Sequence, residues 1–194
     1  MLKERLKQYN VILGSASPRR KTLLTELGIS FTIKTTKEKE YYPDLLNGSE
    51  IAEFIAKQKA SYISKQLHGK FLLITADTIV LQKNKILHKP KNKENGKKIL
   101  QKLSGEKHKV ISGVCLKTNK KELTFSSETE VHFNKLSNEE IIYYLETFNP
   151  FDKAGSYGIQ DWIGHIGIKE INGSYNNVVG LPTAQLYQTL KLFI

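Results

Sequence analysis

Two hydrophobic periods alternate along the chain and predict interleaved strands and helices. Apolar runs or polar/apolar alternation predict strands at 11–13, 29–35, 71–74 resuming at 78–81, 85–88, 110–116 and 123–133. Apolar residues at helical spacing predict helices at about 17–28, 49–67, up to 103, 137–148 and from 182 to 190. The segments at 110–116 and 123–133 flank a short polar stretch and predict a hairpin. The pattern therefore predicts an α/β (mixed α+β) fold with a mixed sheet flanked by helices.

Local signals sharpen the ends of two helices. Ser17 is a good N-cap, Pro18 suits the first helical position, and Gly28 is a suitable C-terminal stop. Ser137 and Glu140 have the spacing of a capping box.

Length and composition restrict the class of protein. A chain of 194 residues suits one domain, residues 1–194. It has one cysteine, no apolar run of the ~18 residues that a membrane span needs, and no secretory signal at its charged beginning. We therefore expect a cytoplasmic protein without a membrane partner.

The net charge of +11 is concentrated in one segment. Residues 83–109 contain ten lysines against two glutamates, a local balance of +8. This segment is either a nucleic-acid or anion-steering surface or a solvated lysine-rich face. It lacks the interleaved arginines and aromatic residues of single-strand binders, which argues against nucleic acid as a partner.

Several cationic side chains occur where a strand or helix would present them to an anion. Arg19 and Arg20 occupy the first turn of a predicted helix, after Ser15, where the helix dipole disfavours cations and favours an anion. They either bind an anion there or are two solvated arginines. Lys59 lies on the apolar face of the 49–67 helix, so its amine either extends to the rim or meets an anion. Lys89 precedes a proline, which restricts it to extended geometry.

Acidic and amide groups are few, and each stands out. Asp77 interrupts a strongly apolar strand, a position suited to holding a metal or orienting water, although a structural aspartate that caps a turn also fits. Gln160 ends a glycine-rich stretch and carries both a donor and an acceptor for a base edge, although the stretch also fits a tight structural loop. Cys115 lies mid-strand and is interpreted as an inert core residue. Many cations with few carboxylates are typical of a polyphosphate site.

The motifs together resemble the Maf family of nucleoside triphosphate pyrophosphatases. They are Ser-Ala-Ser-Pro-Arg-Arg at 15–20, Ala-Asp-Thr at 76–78, Lys-Pro at 89–90, Leu-Ser-Gly at 103–105, 152–160, and Gly-Ser-Tyr at 173–175 with Val-Gly-Leu-Pro at 179–182. The resemblance implies an elongated mixed sheet in two lobes around a deep cleft, of the Maf/Ham1 and ITPase type. It also implies a homodimer, a divalent cation (Mg²⁺ or Mn²⁺), and hydrolysis of a nucleoside triphosphate to the monophosphate and pyrophosphate.

The resemblance implies a role for each matching residue. Asp77 is expected to be the proton acceptor and, with Glu40, a metal ligand. The remaining expected contacts are with substrate, through Ser15, Arg19, Arg20, Lys59, Thr78, Lys89 and Gln160. Among these, the Arg19, Thr78 and Gln160 combination resembles the branch that acts on dTTP and UTP, with modified pyrimidine nucleotides as further candidates.

Two departures from the family pattern and two alternatives remain open. Lysines at 37 and 39 stand where the family commonly has aspartates, leaving Glu40 and Glu38 as candidate metal ligands. Asp161 and Trp162 replace the usual residues after Gln160, and Trp162 is interpreted as packing in the core rather than stacking on a base. The alternative functions are a 7-methyl-GTP pyrophosphatase and a non-catalytic nucleic-acid-binding protein that uses residues 83–109.

Overall fold

The computed structural model describes residues 1–194 as eight α-helices, seven strands and two short 3-10 turns. The helices are α1 (Leu2–Leu6), α2 (Pro18–Glu26), α3 (Gly48–Ser64), α4 (Lys93–Leu103), α5 (Asn138–Phe148), α6 (Trp162–Gly167), α7 (Tyr175–Val179) and α8 (Thr183–Phe193). The strands are β1 (Asn10–Leu13), β2 (Thr32–Ile33), β3 (Phe71–Gln82), β4 (Lys85–Ile86), β5 (Lys107–Lys117), β6 (Glu122–Phe133) and β7 (Ile168–Asn172). The 3-10 turns are Pro150–Asp152 and Ala154–Ser156.

All seven strands belong to one sheet, and this sheet is mixed, as the alternating pattern predicted. The strand order is β2-β1-β3-β5-β6-β7, with β4 paired to β3. β1 is parallel to both β2 and β3, whereas β4 and β7 are antiparallel to their neighbours. β5 and β6 are adjacent and joined by the turn at 118–121, which confirms the predicted hairpin.

Three strand predictions need correction. β3 is one continuous strand of 12 residues, so Asp77 lies inside it and neither interrupts nor ends it. The predicted strand at 29–35 is reduced to Thr32–Ile33, where both residues are exposed and little apolar area favours a longer pairing. β7 was missed because only its apolar positions 168 and 171 are partly buried, which gives no clean alternation.

The chain divides into two compact units. The first contains Met1–Asp77, Ser112–Ser127 and Gly180–Ile194. In this unit α3 packs its alanines and Ile63 against β1, β3 and β5 through a buried cluster of Ile12, Ala56, Ala60, Ile63, Phe71, Leu73 and Cys115. Gly113 allows the close approach, because a Cβ there would lie 2.2 Å from the Ala52 carbonyl carbon of α3.

The second unit contains Thr78–Ile111 and Glu128–Val179. In its core, α4, α5 and α6 pack against the strands of this unit through fifteen buried residues, among them Leu100, Phe133 and Tyr144. The predicted capping box opens α5: Ser137 accepts a hydrogen bond from the Glu140 amide at 3.1 Å, and the Glu140 carboxylate accepts from the Ser137 amide at 2.7 Å.

The two-lobed shape, the deep cleft and the single domain over 1–194 stay predictions. None of the helices combines the length and the apolar character that crossing a membrane requires.

Candidate active site

Lys59 is the centre of a charged cluster in the first unit. Its helix, α3, buries Ile55 and Ile63 one turn before and after it. The Lys59 ammonium lies 2.7 Å from Asp77 Oδ1 and 3.0 Å from Glu40 Oε1. The sequence pattern left open whether this amine extends to the rim or meets an anion. It meets two carboxylates.

Asp77 faces α3 because β3 is fixed to that helix two residues earlier. The Thr75 hydroxyl donates a 2.7 Å hydrogen bond to the Ala56 carbonyl of α3. Residues two apart in a strand share a face, so Asp77 also points toward α3. The Asp77 side chain is only 15% exposed and the Lys59 side chain 14%, which makes this pair far better shielded from water than the surface pairs elsewhere.

The start of α2 adds a second cation to the same unit. The helix begins as predicted, with Pro18 at its first position and the Ser17 hydroxyl accepting from the Arg20 amide. The Arg20 guanidinium donates from Nε to the Gly180 carbonyl at 2.9 Å and from Nη1 to Ser15 Oγ at 3.2 Å. These two acceptors hold the orientation of the guanidinium.

Opposing electrostatic effects act on Arg20. Burial lowers the pKa of its guanidinium from the ordinary value, and the charge of Asp77 counteracts that effect. The charge of Arg19 lowers the pKa further, while Glu40 raises it. Arg20 therefore shares one electrostatic environment with Arg19, Asp77 and Glu40.

The carboxylates of Glu40 and Asp77 are suited to a divalent cation that substrate would help to hold. Both oxygens contact the same lysine nitrogen, so they converge on one point. No group of three or more His, Cys, Asp or Glu side chains is placed to hold a metal by itself. Mg²⁺ is commonly bound by one or two carboxylates together with substrate phosphates, and this donor set fits that mode. Glu38, the other candidate ligand, is exposed like Glu40 but does not share its contact with Lys59.

The remaining predicted residues are placed as follows. Arg19 is half-buried in the first turn of α2, in the first unit. Thr78, Lys89 and Gln160 belong to the second unit. Thr78 is half-buried in β3 beside Asp77, and Lys89 is exposed after β4. The structure thus brings Ser15, Arg20, Lys59, Asp77 and Glu40 together within one unit.

Gln160 takes part in a polar network that the sequence did not reveal. Its Nε2 donates to Asp161 Oδ1 at 3.1 Å, and its Oε1 is buried without a hydrogen-bond partner. Asp161 Oδ2 accepts a 2.7 Å hydrogen bond from the Tyr144 hydroxyl. Burial, and then this carboxylate, raise the pKa of Tyr144. The available signal was the departure from the family pattern at position 161.

Trp162 and Cys115 behave as core residues, as predicted. Trp162 packs against the second unit's core and meets Tyr143 edge to face, with ring centroids 4.8 Å apart. Burial raises the pKa of the Cys115 thiol to about 11, so almost no thiolate nucleophile forms at neutral pH.

The lysine-rich segment is partly neutralised by neighbouring acids. Five of its ten lysines form ion pairs, namely Lys83–Glu106, Lys93–Glu146, Lys98–Glu94, Lys107–Glu130 and Lys109–Glu128. Such pairing favours the interpretation of a solvated lysine-rich face over a continuous nucleic-acid surface.

Comparison with known proteins agrees with the motif resemblance over nearly the whole chain. The family model described as "Maf-like protein" matches residues 10–193. A Phocaeicola vulgatus protein named "dTTP/UTP pyrophosphatase" is 50% identical over 189 residues, covering 97% of this chain and 98% of that protein. A Parabacteroides distasonis protein of the same name is 48% identical, covering 98% of this chain and 99% of that one. The solved Ham1 protein of Staphylococcus aureus is more distant, at 15% identity and a TM-score of 0.44 over 92% of this chain and 98% of that one.

Proposed function

Because the chain belongs to the Maf family, we propose that it hydrolyses dTTP and UTP to the monophosphate and pyrophosphate. Relatives 48–50% identical over nearly the full chain carry the name dTTP/UTP pyrophosphatase, which supports this substrate choice. The observation that carries the reaction class is the shielded pair of Lys59 and Asp77, with Glu40 as a second carboxylate on the same lysine. A module that only binds phosphate has no use for two carboxylates beside its lysine, whereas hydrolysis needs an acid–base group there.

In the proposed reaction, water attacks the α-phosphorus and pyrophosphate leaves. The bond between the water oxygen and the α-phosphorus forms as the bond to the bridging oxygen breaks. Asp77 accepts the proton that water loses, and Lys59 holds this carboxylate in place before substrate arrives. When substrate is bound, the Lys59 ammonium can donate hydrogen bonds to either carboxylate or phosphate oxygens. The negative charge that develops on the phosphate oxygens in the transition state favours the phosphate.

Arg20 and Ser15 are proposed to bind the triphosphate together with the first turn of α2. The Arg20 guanidinium is oriented by its bonds to Gly180 and Ser15, so little side-chain entropy is lost when it meets an anion. The free amide groups at a helix N-terminus favour the same charge. Lys89 is proposed to add a further cation; its exposed position keeps its amine accessible.

Glu40 and Asp77 are proposed to hold a divalent cation, Mg²⁺ or Mn²⁺, in cooperation with substrate phosphates. When bound, the ion neutralises charge on the phosphate oxygens and makes phosphorus a better electrophile. Lys59 contacts both carboxylates and offsets part of their charge, which reduces the repulsion between the two acids.

Arg19, Thr78 and Gln160 are proposed to select the base, by analogy with the branch of the family that acts on dTTP and UTP.

The family also supports a homodimer in the cytoplasm. Sedimentation of the purified chain tests the homodimer. We expect a species near 44 kDa, twice the chain mass of 22.1 kDa, and a species of 22.1 kDa would contradict the homodimer.

The activity is tested by pyrophosphate release from dTTP, UTP, CTP, GTP and 7-methyl-GTP with Mg²⁺ or Mn²⁺. Wild type is compared with Asp77→Asn and with Asp44→Asn, which changes an exposed carboxylate in the 34–47 loop. We expect release from dTTP and UTP, its loss in the Asp77 variant, and no change in the Asp44 variant. Preference for 7-methyl-GTP would overturn the substrate, and equal rates in both variants would overturn the role of Asp77.

A further inference from the structure

The Gln160 amide leaves one hydrogen-bonding atom unused. Its nitrogen donates to Asp161, whereas its Oε1 is covered by protein atoms and has no partner. A buried carbonyl oxygen without a donor is destabilising, so natural structures rarely retain one. A ligand that supplies a donor must displace the covering atoms, and the orphaned oxygen favours that exchange.

Asp161 determines which end of the Gln160 amide remains free. A carboxylate only accepts hydrogen bonds, so the amide must turn its NH₂ group toward it. Asp161 is itself fixed: its Oδ2 accepts from the Tyr144 hydroxyl at 2.7 Å and lies 3.7 Å from the Lys153 ammonium. The Tyr144 hydroxyl in turn accepts from the Gly158 amide at 3.0 Å, which leaves its proton for Asp161.

The network is not needed to start the following helix. Asp161 stands at the N-cap of α6, yet its side chain makes no capping hydrogen bond. Gly158 leaves room for the network, because a Cβ there would lie 2.5 Å from Asp161 Oδ2 and 2.8 Å from Gln160 Nε2. The carboxylate therefore interacts with Tyr144, Gln160 and Lys153 and not with the first turn of α6.

We infer that Asp161 is a positioning residue that presents Gln160 Oε1 as a fixed acceptor and thereby selects a pyrimidine with a proton on N3. Uracil and thymine carry that proton and donate it, whereas N3 of cytosine is an acceptor and meets Oε1 with a lone pair. An amide free to turn would accept either base. The inference rests on the proposed function, and it assigns discrimination between UTP and CTP to a residue that need not touch the base.

The test replaces the carboxylate by its isosteric amide, in Asp161→Asn. The Tyr144 hydroxyl still requires an acceptor, so the new oxygen faces Tyr144 and the new NH₂ faces Gln160. The Gln160 amide then turns over and presents Nε2, a donor that suits N3 of cytosine. We expect the ratio of kcat/KM for UTP to that for CTP to fall on the order of ten- to hundredfold, with CTP hydrolysis rising in absolute terms.

Three control variants separate positioning from stability. Tyr144→Phe leaves the Asp161 carboxylate beside Gln160, so it should lower the melting temperature without changing the UTP/CTP ratio. Asp161→Glu keeps an acceptor and should retain the preference for UTP. Should Asp161→Asn not fold, as judged by its melting curve, Asp161→Gly removes the carboxylate and is expected to lower the same ratio.

The outcomes distinguish failure of the role of Asp161 from failure of the proposed function. A wild type that prefers UTP, with folded Asp161→Asn or Asp161→Gly keeping that ratio, overturns the role of Asp161 alone. A wild type that hydrolyses CTP as fast as UTP also overturns it. Absence of pyrophosphate release from every nucleotide overturns the proposed function and this inference with it.

Discussion

Replacing Lys59 by methionine tests how much the shielded ion pair contributes to stability and activity, compared with an ordinary surface pair. Methionine keeps the apolar stem beside Ile55 and Ile63 but removes the ammonium that Asp77 and Glu40 share. Lys57 on the same helix offers the matched change, because it pairs with Glu122 while its own side chain is 62% exposed.

The expected losses in the free energy of unfolding follow from how exposed the members of each ion pair are. Removing one partner of a fully buried pair costs about 3–5 kcal/mol. Asp77 is mostly shielded but Glu40 is 49% exposed and regains water, so we expect about 2 kcal/mol for Lys59→Met. An exposed pair is worth about 0–1 kcal/mol, which is the expected loss for Lys57→Met.

Lys59→Met and Lys57→Met should differ more in activity than in stability. Loss of a cation that stabilises transition-state charge lowers kcat by about 10²–10³, and this is expected for Lys59→Met only. Urea unfolding followed by fluorescence gives the stability change, and pyrophosphate release from UTP gives kcat and KM. If Lys59→Met were folded and as active as Lys57→Met, the assignment of Lys59 to the substrate phosphates would be wrong.

Two further predictions concern the scaffold. Gly113→Ala should lower the free energy of unfolding by about 1–3 kcal/mol, since its Cβ would overlap the Ala52 backbone of α3. Gly69→Ala is the control: its Cβ would have nothing within 4 Å, and its φ of +72° should lower the free energy of unfolding by only about 1 kcal/mol. Equal melting curves for the two variants would refute the close packing at Gly113. Burial lowers the pKa of His108 to about 4 from 6.5, so the unfolded chain binds more protons between these values. Stability should therefore fall by about 3 kcal/mol as pH drops from 6.5 through 4. His108→Gln should flatten this dependence, and an unchanged pH profile would contradict it.

Much of the site was predictable because its residues conflict with their local pattern. Lys59 stands where helical spacing demands an apolar residue, and Asp77 stands inside a strongly apolar strand. Such conflicts are costly unless a partner compensates, and here each residue compensates the other. Composition and spacing could not show this pairing, because it depends on β3 being fixed to α3 by Thr75.

The parts that escaped prediction depend on long-range contacts. The continuity of β3 through Asp77 follows from its place in the interior of the sheet, where neighbouring strands lie on both sides. The Tyr144–Asp161–Gln160 network joins residues up to 17 positions apart, and nothing in their spacing distinguishes it from a polar loop. β7 lacks a buried apolar face, so its pairing with β6 left little trace in the pattern.

The most direct test of the central claim is to identify the products formed from UTP. Separation by ion-exchange chromatography distinguishes UMP and pyrophosphate from UDP and phosphate. We predict UMP and pyrophosphate in equal amounts from wild type, and neither product from Asp77→Asn. Release of UDP and phosphate, or no turnover of UTP and dTTP by the folded wild type, would contradict attack at the α-phosphorus and with it the proposed function.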